Sequence, residues 1–241
     1  MPGTRDSTIL VPIDVSEPSA SPLDLSIVEL LHPLRIVLLG YYPVPDQAAP
    51  EQLRDQYEQE ATERIERTAD AFAARGGDVE AVVVFTRDRA TTVDRLAAEY
   101  DCDVVLSPGE FEEVERVFVP LRGDPNLERI VSFVGELLEE SDATVTLYHA
   151  VTPDEDATVS EFILRGAADR LTEYGVDRER ISWEQSETES PASEIISIAQ
   201  NHDVVVIGES EPSLRERILG DVPTRIIDRT GRPVLVVRAR D

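Results

Sequence analysis

The stretch Thr8-Ile9-Leu10-Val11-Pro12-Ile13-Asp14 returns 108 residues later as Arg116-Val117-Phe118-Val119-Pro120-Leu121-Arg122. A short apolar run of this kind predicts a buried strand. The register holds further on, where Val37 to Pro45 (VLLGYYPVP) aligns with Val145 to Pro153 (VTLYHAVTP). Asp103-Val104-Val105-Leu106 then returns as Asp203-Val204-Val205-Val206, with the register shortened to 100. Self-similarity spread over half the chain marks a duplicated domain, not a short-period solenoid. The copies differ where the first strand ends: one carries the carboxylate of Asp14, the other the guanidinium of Arg122. If that strand end faces a ligand, the copies cannot prefer the same one.

Strands are expected at 8–13, 35–41, 79–85 and 104–107, and again at 116–121, 143–149, 180–185 and 203–207. Between them the spacing predicts helices. The first ends at His32-Pro33, a polar one runs from Glu51 to Arg75 before Gly76-Gly77, and a short one spans 90–100. In the second half Asp124 is expected as an N-cap with Pro125 at the first helical position, the helix running to about Glu140. Helices at 159–174 and 191–200 follow. The second half then adds a loop from Gly208, a helix around 220–229 and a fifth strand, Val234 to Val237. The boundary falls near 109–114, giving domain 1 over 1–112, without glycine loop or fifth strand, and domain 2 over 113–241.

Apolar strands alternating with helices predict an α/β fold, each domain a mostly parallel sheet with helices on both faces and right-handed crossovers. Ligands in such sheets sit beyond the carboxyl ends of the strands, at a topological switch point. Asp14, Gly40, Arg122, His149 and the Gly208 loop fall on that rim.

Composition removes several functions. The net charge is −26 and all 23 basic residues are arginine. An acidic, lysine-free surface fits a cytosol loaded with salt, where the Debye length falls to about 3 Å and self-repulsion is screened; a halophilic source is the expectation. Nucleic-acid binding needs a basic face, and none is visible. Without lysine there is neither a Walker-A nor a Schiff-base lysine. The lone Cys102 excludes an intrachain disulfide and a cysteine-based zinc site. No apolar run approaches the roughly 20 residues that span a bilayer, and the N-terminus (MPGTRDST) has no signal-peptide core. A cytoplasmic protein without membrane insertion is expected.

The residues resemble the universal stress protein family, as a tandem pair. The resemblance rests on Val11-Pro12-Ile13-Asp14, on the paired halves, and most on the C-terminal stretch. That stretch runs from Val204-Val205-Val206-Ile207-Gly208 through Gly220-Asp221-Val222 to Arg232-Pro233-Val234-Leu235-Val236-Val237. It implies adenine nucleotide alpha hydrolase-like domains. Family members bind ATP or AMP in many cases, or no nucleotide, and usually form dimers, often through the last strand. By family position the nucleotide-binding residues are Pro12, Asp14, Gly40, Arg122, Gly208, Gly220, Asp221 and Val222. ATP-binding members carry G-x2-G-x9-G-[ST] after strand four, glycines that let backbone approach the phosphates at a helix N-terminus. Here Gly208 fits the first position, Glu211 replaces the second glycine, the spacer before Gly220 is one residue short, and Asp221 replaces the hydroxyl. Two like charges 4 Å apart repel by about 1 kcal/mol in water and about 4 at an effective dielectric of 20. Glu209 adds to this, while Arg215 and Arg217 partly offset it or face solvent. Copy one keeps the acid without a loop, and copy two keeps a residual loop with Arg122 in place of the acid.

Each position also has a plainer reading. Asp14 is a nucleoside contact, or a cap of the next helix or a rim carboxylate kept by descent. Arg122 grips a carboxylate or phosphate in a bidentate fork, or pairs with a nearby acid such as Asp124. His149 has no visible catalytic partner, and Cys102 between Asp101 and Asp103 is a poor nucleophile. Three functional readings follow. The first is a non-enzymatic stress-response module acting as a homodimer or by docking on a protein partner, with a degenerate nucleotide site and no cofactor. The second is an ATP- or AMP-binding protein with a rebuilt loop. The third is a small-anion sensor using Arg122 and the helix starting near Asp124. The first is the reading adopted. The fifth strand, apolar and an edge in a lone subunit, is expected to be buried by a dimer partner or by the tandem copy.

Overall fold

Thr8–Asp14 is a strand, β1, because its apolar side chains are covered on both faces: Ile9, Leu10 and Val11 have no exposed surface. The computed structural model describes residues 7–16, 23, 25–107, 109, 113–121, 126–153, 156–209 and 221–239, the side chains of 221–224 excepted. Its contacts divide the chain into two compact units, residues 1–106 and 107–241.

In the first unit, β1 is followed by α1 (Leu25–Leu31), β2 (Arg35–Pro43), α2 (Pro50–Ala73), β3 (Val79–Thr86), α3 (Arg89–Glu99) and β4 (Val104–Ser107). The strands lie in the order β3-β2-β1-β4, and the recorded pairings are parallel. The side chains alternate between two covers. Leu10, Val37, Leu39 and Val105 pack with Val93, Leu96 and Ala97 of α3. On the other face Gly40 lies against Ile65 of α2. The helix α2 is polar, yet Ala61, Ile65, Thr68 and Phe72 recur on one stripe and are buried, which is enough to dock it. It ends where Gly76 takes a φ of +82°, a conformation that favours glycine, with Gly77 N–H donating to the Phe72 carbonyl at 3.1 Å.

The second unit holds β5 (Arg116–Pro120), α4 (Leu127–Leu137), β6 (Thr144–Val151), α5 (Ala157–Glu173), β7 (Ile181–Glu187), α6 (Pro191–Ala199), β8 (Val204–Gly208), α7 (Asp221–Thr230) and β9 (Val234–Val237). Strand order is β9-β8-β5-β6-β7, again parallel. Phe118, Tyr148, Val205, Ile207, Val234 and Val236 pack with Ile196 of α6 and Ile226 of α7. On the opposite face an added Cβ at Gly208 would meet Ile130 of α4 at 2.8 Å. The α/β class, the parallel sheet and the helices on both faces follow the expectation.

Three details differ. The helix expected from Asp124 begins at Leu127, with Asn126 at its cap; Asp124 and Pro125 lie outside the described residues. The strand β6 runs to Val151, two residues past His149, because the β6–β7 ladder continues to Val151–Glu187. His149 is therefore a buried strand residue, 6% exposed, and not a rim group. The strand β2 likewise continues to Pro43, so Gly40 lies inside the sheet, paired with Ile13. Val234 to Val237 are all buried.

Candidate functional site

The switch point of each unit is opened by a proline. In the first unit β1 pairs with β4 only at Ile9–Val104 and Leu10–Val105, while its pairing with β2 continues to Asp14–Tyr41. Pro12 has no N–H to donate, and it stands where β1 and β4 have stopped pairing. The second unit repeats this: β5 pairs with β8 at Val117–Val204 and Phe118–Val205, and with β6 as far as Pro120–Tyr148. Diverging strands beyond the carboxyl end make a crevice in this fold class.

In the first unit Asp14 closes that end of β1. Its Oδ1 accepts from the Ser16 N–H at 2.8 Å and from the Ser16 hydroxyl at 2.6 Å. The carboxylate thus ties its own turn, a local use distinct from capping the next helix. Beside it Tyr41 lies beneath the Arg89 guanidinium, 5.1 Å from ring centre to Arg89 Cζ. Burial raises the Tyr41 phenol above its ordinary pKa, Arg89 opposes this and Asp14 adds to it. On the other face Tyr42 stacks on Tyr57 at 5.3 Å and on Phe85 at 4.9 Å. Arg64 pairs with Glu60 at 3.1 Å and donates to the Val15 carbonyl. Tyr41 and Tyr42 both lie close enough to feel the Asp14 charge.

Gly40 has a packing role. An added Cβ would meet Val15 Cγ1 at 3.1 Å and both Ile65 Cβ and Val83 Cγ2 at 3.4 Å. The glycine allows β2 to lie against α2 and the end of β1.

In the second unit Gly208 ends β8, and the next residue is already engaged three times. Glu209 N–H donates to the Val237 carbonyl at 2.8 Å. The Glu209 carboxylate accepts from Ala239 N–H at 2.9 Å. The Glu209 carbonyl accepts from Asn126 Nδ2 at 3.3 Å. The start of the loop is thereby pinned to the end of β9 and to the cap of α4, and a carboxylate stands beside it. Asp221 and Val222 open α7, the helix whose N-terminus a phosphate loop would use. Arg122 and Gly220 lie outside the described residues, as do the side chains of Asp221 and Val222.

Sequence reasoning missed the hydrogen-bonding part of Asn126, which is buried. No local pattern marks it, because its partner is 83 residues away. It also missed what Asp103 and Asp203 do, although both stood in the repeated motif. Among the described residues no group of three or more His, Cys, Asp or Glu is placed to hold a metal. No helix there is long and apolar enough to cross a membrane. Cys102 is buried.

Several solved structures share this fold. A universal stress protein from Archaeoglobus fulgidus DSM 4304 superposes with a TM-score of 0.65 at 16% identity, over 97% of each chain. PA1789 of Pseudomonas aeruginosa PAO1, a protein of unknown function, gives 0.54 at 16% identity over 97% of this chain and 93% of its own. A shorter universal stress protein solved in complex with cAMP is 25% identical over 53% of this chain and 98% of its own, with a TM-score of 0.44. No curated protein matches the sequence at a significant level. The model of the universal stress protein family matches residues 113–238, more than half of the chain, and the protein therefore belongs to that family.

Proposed function

We propose that this chain is a tandem universal stress protein that works by association, as a homodimer or on a protein partner, and not by turning over a nucleotide. The first unit is a second, diverged copy that lacks the fifth strand and phosphate loop. The source is a salt-adapted cell, in which the acidic, lysine-free surface stays soluble. The observation that carries the reading is the state of Glu209. A phosphate loop presents free backbone N–H groups to an anion. At the first loop position after Gly208, the N–H is committed to Val237 and a carboxylate is held alongside by Ala239. The sequence adds Glu211 and Asp221 in the same segment. The first unit supports the same reading, because Asp14 is engaged by Ser16 and lies near Tyr41 and Tyr42.

The test is thermal stability with ATP, AMP, phosphate and small carboxylates, in dilute and in molar salt. A ligand at 100 times its dissociation constant stabilises a protein by about 2.7 kcal/mol. Our reading expects no shift with either nucleotide. A saturable shift with ATP or AMP overturns it. A shift with phosphate or carboxylate that Arg122→Ala abolishes transfers the function to anion sensing.

A further inference from the structure

Two carbonyls fix the direction of every backbone group in β3. Asp78, just before the strand, accepts from the Ile36 N–H at 2.8 Å, and Thr86 at its end accepts from the Val44 N–H at 2.8 Å. Both carbonyls therefore point to the β2 side. Backbone groups alternate sides along a strand, so Glu80, Val82 and Val84 also turn toward β2. Val79, Ala81, Val83 and Phe85 turn their N–H and C=O groups the other way. Among the described residues β3 pairs with β2 alone, so these outward groups meet no strand. The edge is apolar on both faces. Val82 and Val84 lie with the α3 cluster, and Val83 lies by Gly40 and Ile65 on the α2 side. Ala81 is exposed, and Val82, Val83 and Val84 are half-buried.

The corresponding strand of the second unit is guarded. Val37 pairs with Glu80, and Val145, which aligns with Val37, pairs with Ile181, so Val83 corresponds to Glu184. On β7 the side chains of Ser182, Glu184, Gln185 and Glu187 are exposed. Charges of this kind keep a bare edge from recruiting strands. After Glu80, β3 carries none: it reads Ala81-Val82-Val83-Val84-Phe85.

We propose that the outer edge of β3 takes an extended, cationic segment of another protein as an added strand. This names the kind of partner for the association reading above and rests on it. The backbone dictates the form of the occupant, because N–H and C=O groups recurring at every second residue are met by an extended chain. The valines on both faces favour β-branched residues beside them. Charge selects the source. Asp78 and Glu80 stand at the start of the edge and share one arginine, Arg35, at 3.8 and 3.6 Å, which leaves one carboxylate in excess. The chain as a whole carries −26, which repels another copy and attracts a basic partner.

The probe is a dye-labelled peptide of alternating valine and threonine that ends in arginine. Its binding to the full chain is followed by fluorescence anisotropy in dilute and in molar salt. Strand addition persists in molar salt, where the general attraction of a cation to an acidic surface is screened. Val83→Pro and Ala81→Pro each delete one outward N–H and leave the ladder to β2 whole, as proline on an edge strand does. Each should weaken binding by about tenfold or more, the scale of one hydrogen-bonding group left unpaired, with the circular dichroism spectrum retained. The same peptide with two adjacent central prolines offers a donor on neither side there and should not bind. Saturable binding that the proline variants and the proline peptide abolish supports the proposal. Binding that survives in both variants, or that disappears in molar salt, overturns strand addition. A wild type that binds no peptide overturns the cationic occupant. Sedimentation that shows wild type associating with itself and Val83→Pro failing to do so assigns the edge to a second copy, and also overturns it. None of these readouts depends on the nucleotide test, so the β3 edge can fail while the association reading stands.

Discussion

Asp203 and Arg116 hold each other by three hydrogen bonds at the amino-terminal end of the strands of the second unit. The Asp203 N–H donates to the Arg116 carbonyl at 2.9 Å, and Asp203 Oδ2 accepts from the Arg116 N–H at 2.9 Å. Arg116 Nη2 reaches Oδ1 at 3.3 Å. The first unit has the same clamp in simpler form: Asp103 N–H donates to the Thr8 carbonyl at 2.8 Å, and its carboxylate accepts from the Thr8 N–H at 3.1 Å. Each clamp fastens the fourth strand of its unit to the first, the pair that diverges at the opposite end.

Asp203→Ala should destabilise the protein by about 2–3 kcal/mol, since it removes charge-assisted bonds and leaves the N–H groups of Arg116 and Glu115 without their acceptor. Asp103→Ala removes the acceptor of the Thr8 N–H and should cost about 1–2 kcal/mol. Denaturant unfolding monitored by circular dichroism measures both. Equal costs would mean that the Glu115 N–H and the Arg116 side chain together add nothing.

Gly135→Ala should also destabilise, against the usual gain in helix propensity. An added Cβ would lie 2.7 Å from Tyr174 Cβ and 3.0 Å from its Cγ, at the root of a side chain that cannot swing away. Overpacking of this kind costs about 1–3 kcal/mol, more than the ~1 kcal/mol that alanine gains over glycine in a helix. Gly208→Ala crowds the flexible Cδ1 of Ile130 at 2.8 Å, with the next atom at an ordinary 3.6 Å, and should be milder. The order of the two thermal midpoints decides the point.

Two helix caps should fail in acid. The hydroxyl and the N–H of Thr91 hold the Asp88 carboxyl below its ordinary pKa. The N–H of Thr158 does the same for Asp156. A carboxylate whose folded pKa is depressed contributes stability above its unfolded value of about 3.9 and loses it as pH falls through the folded value. The stability difference between wild type and Asp88→Ala or Asp156→Ala should therefore be constant near neutrality and shrink below about pH 4. A difference that grows in acid would contradict the assignment.

Gly40→Ala should leave the fold standing and loosen the end of β1. The nearest contact is Val15 Cγ1 at 3.1 Å, and Ile65 and Val83 close the remaining space. The expected cost is about 1–3 kcal/mol from overpacking. Hydrogen exchange at Val15 N–H, which donates to the Tyr41 carbonyl at 3.0 Å, should accelerate more than exchange elsewhere in β1. Uniform acceleration would indicate global destabilisation only.

The α/β class was legible because it depends on periodicity and on runs such as Ile9-Leu10-Val11 and Val204-Val205-Val206, which have no stable home except a covered parallel strand. The stop of α2 at Gly76 was equally local, since a φ of +82° favours glycine. The start of α4 falls two residues later than expected, after Asn126, whose side chain donates to a carbonyl 83 residues away. His149 was misplaced for a similar reason: a strand ends where its partner ends, and β7 extends to Glu187.

The sequence by itself determined the apolar strands and the helix-forming stretches, since each of these is a property of adjacent residues. Only the tertiary structure decided what the acids do. Glu209 reaches Ala239, Asp203 reaches Arg116, and Asp14 turns back on Ser16. A carboxylate needs donors, and burial or crowding limits which ones it can reach, so its role depends on how strands far apart in the chain are brought together.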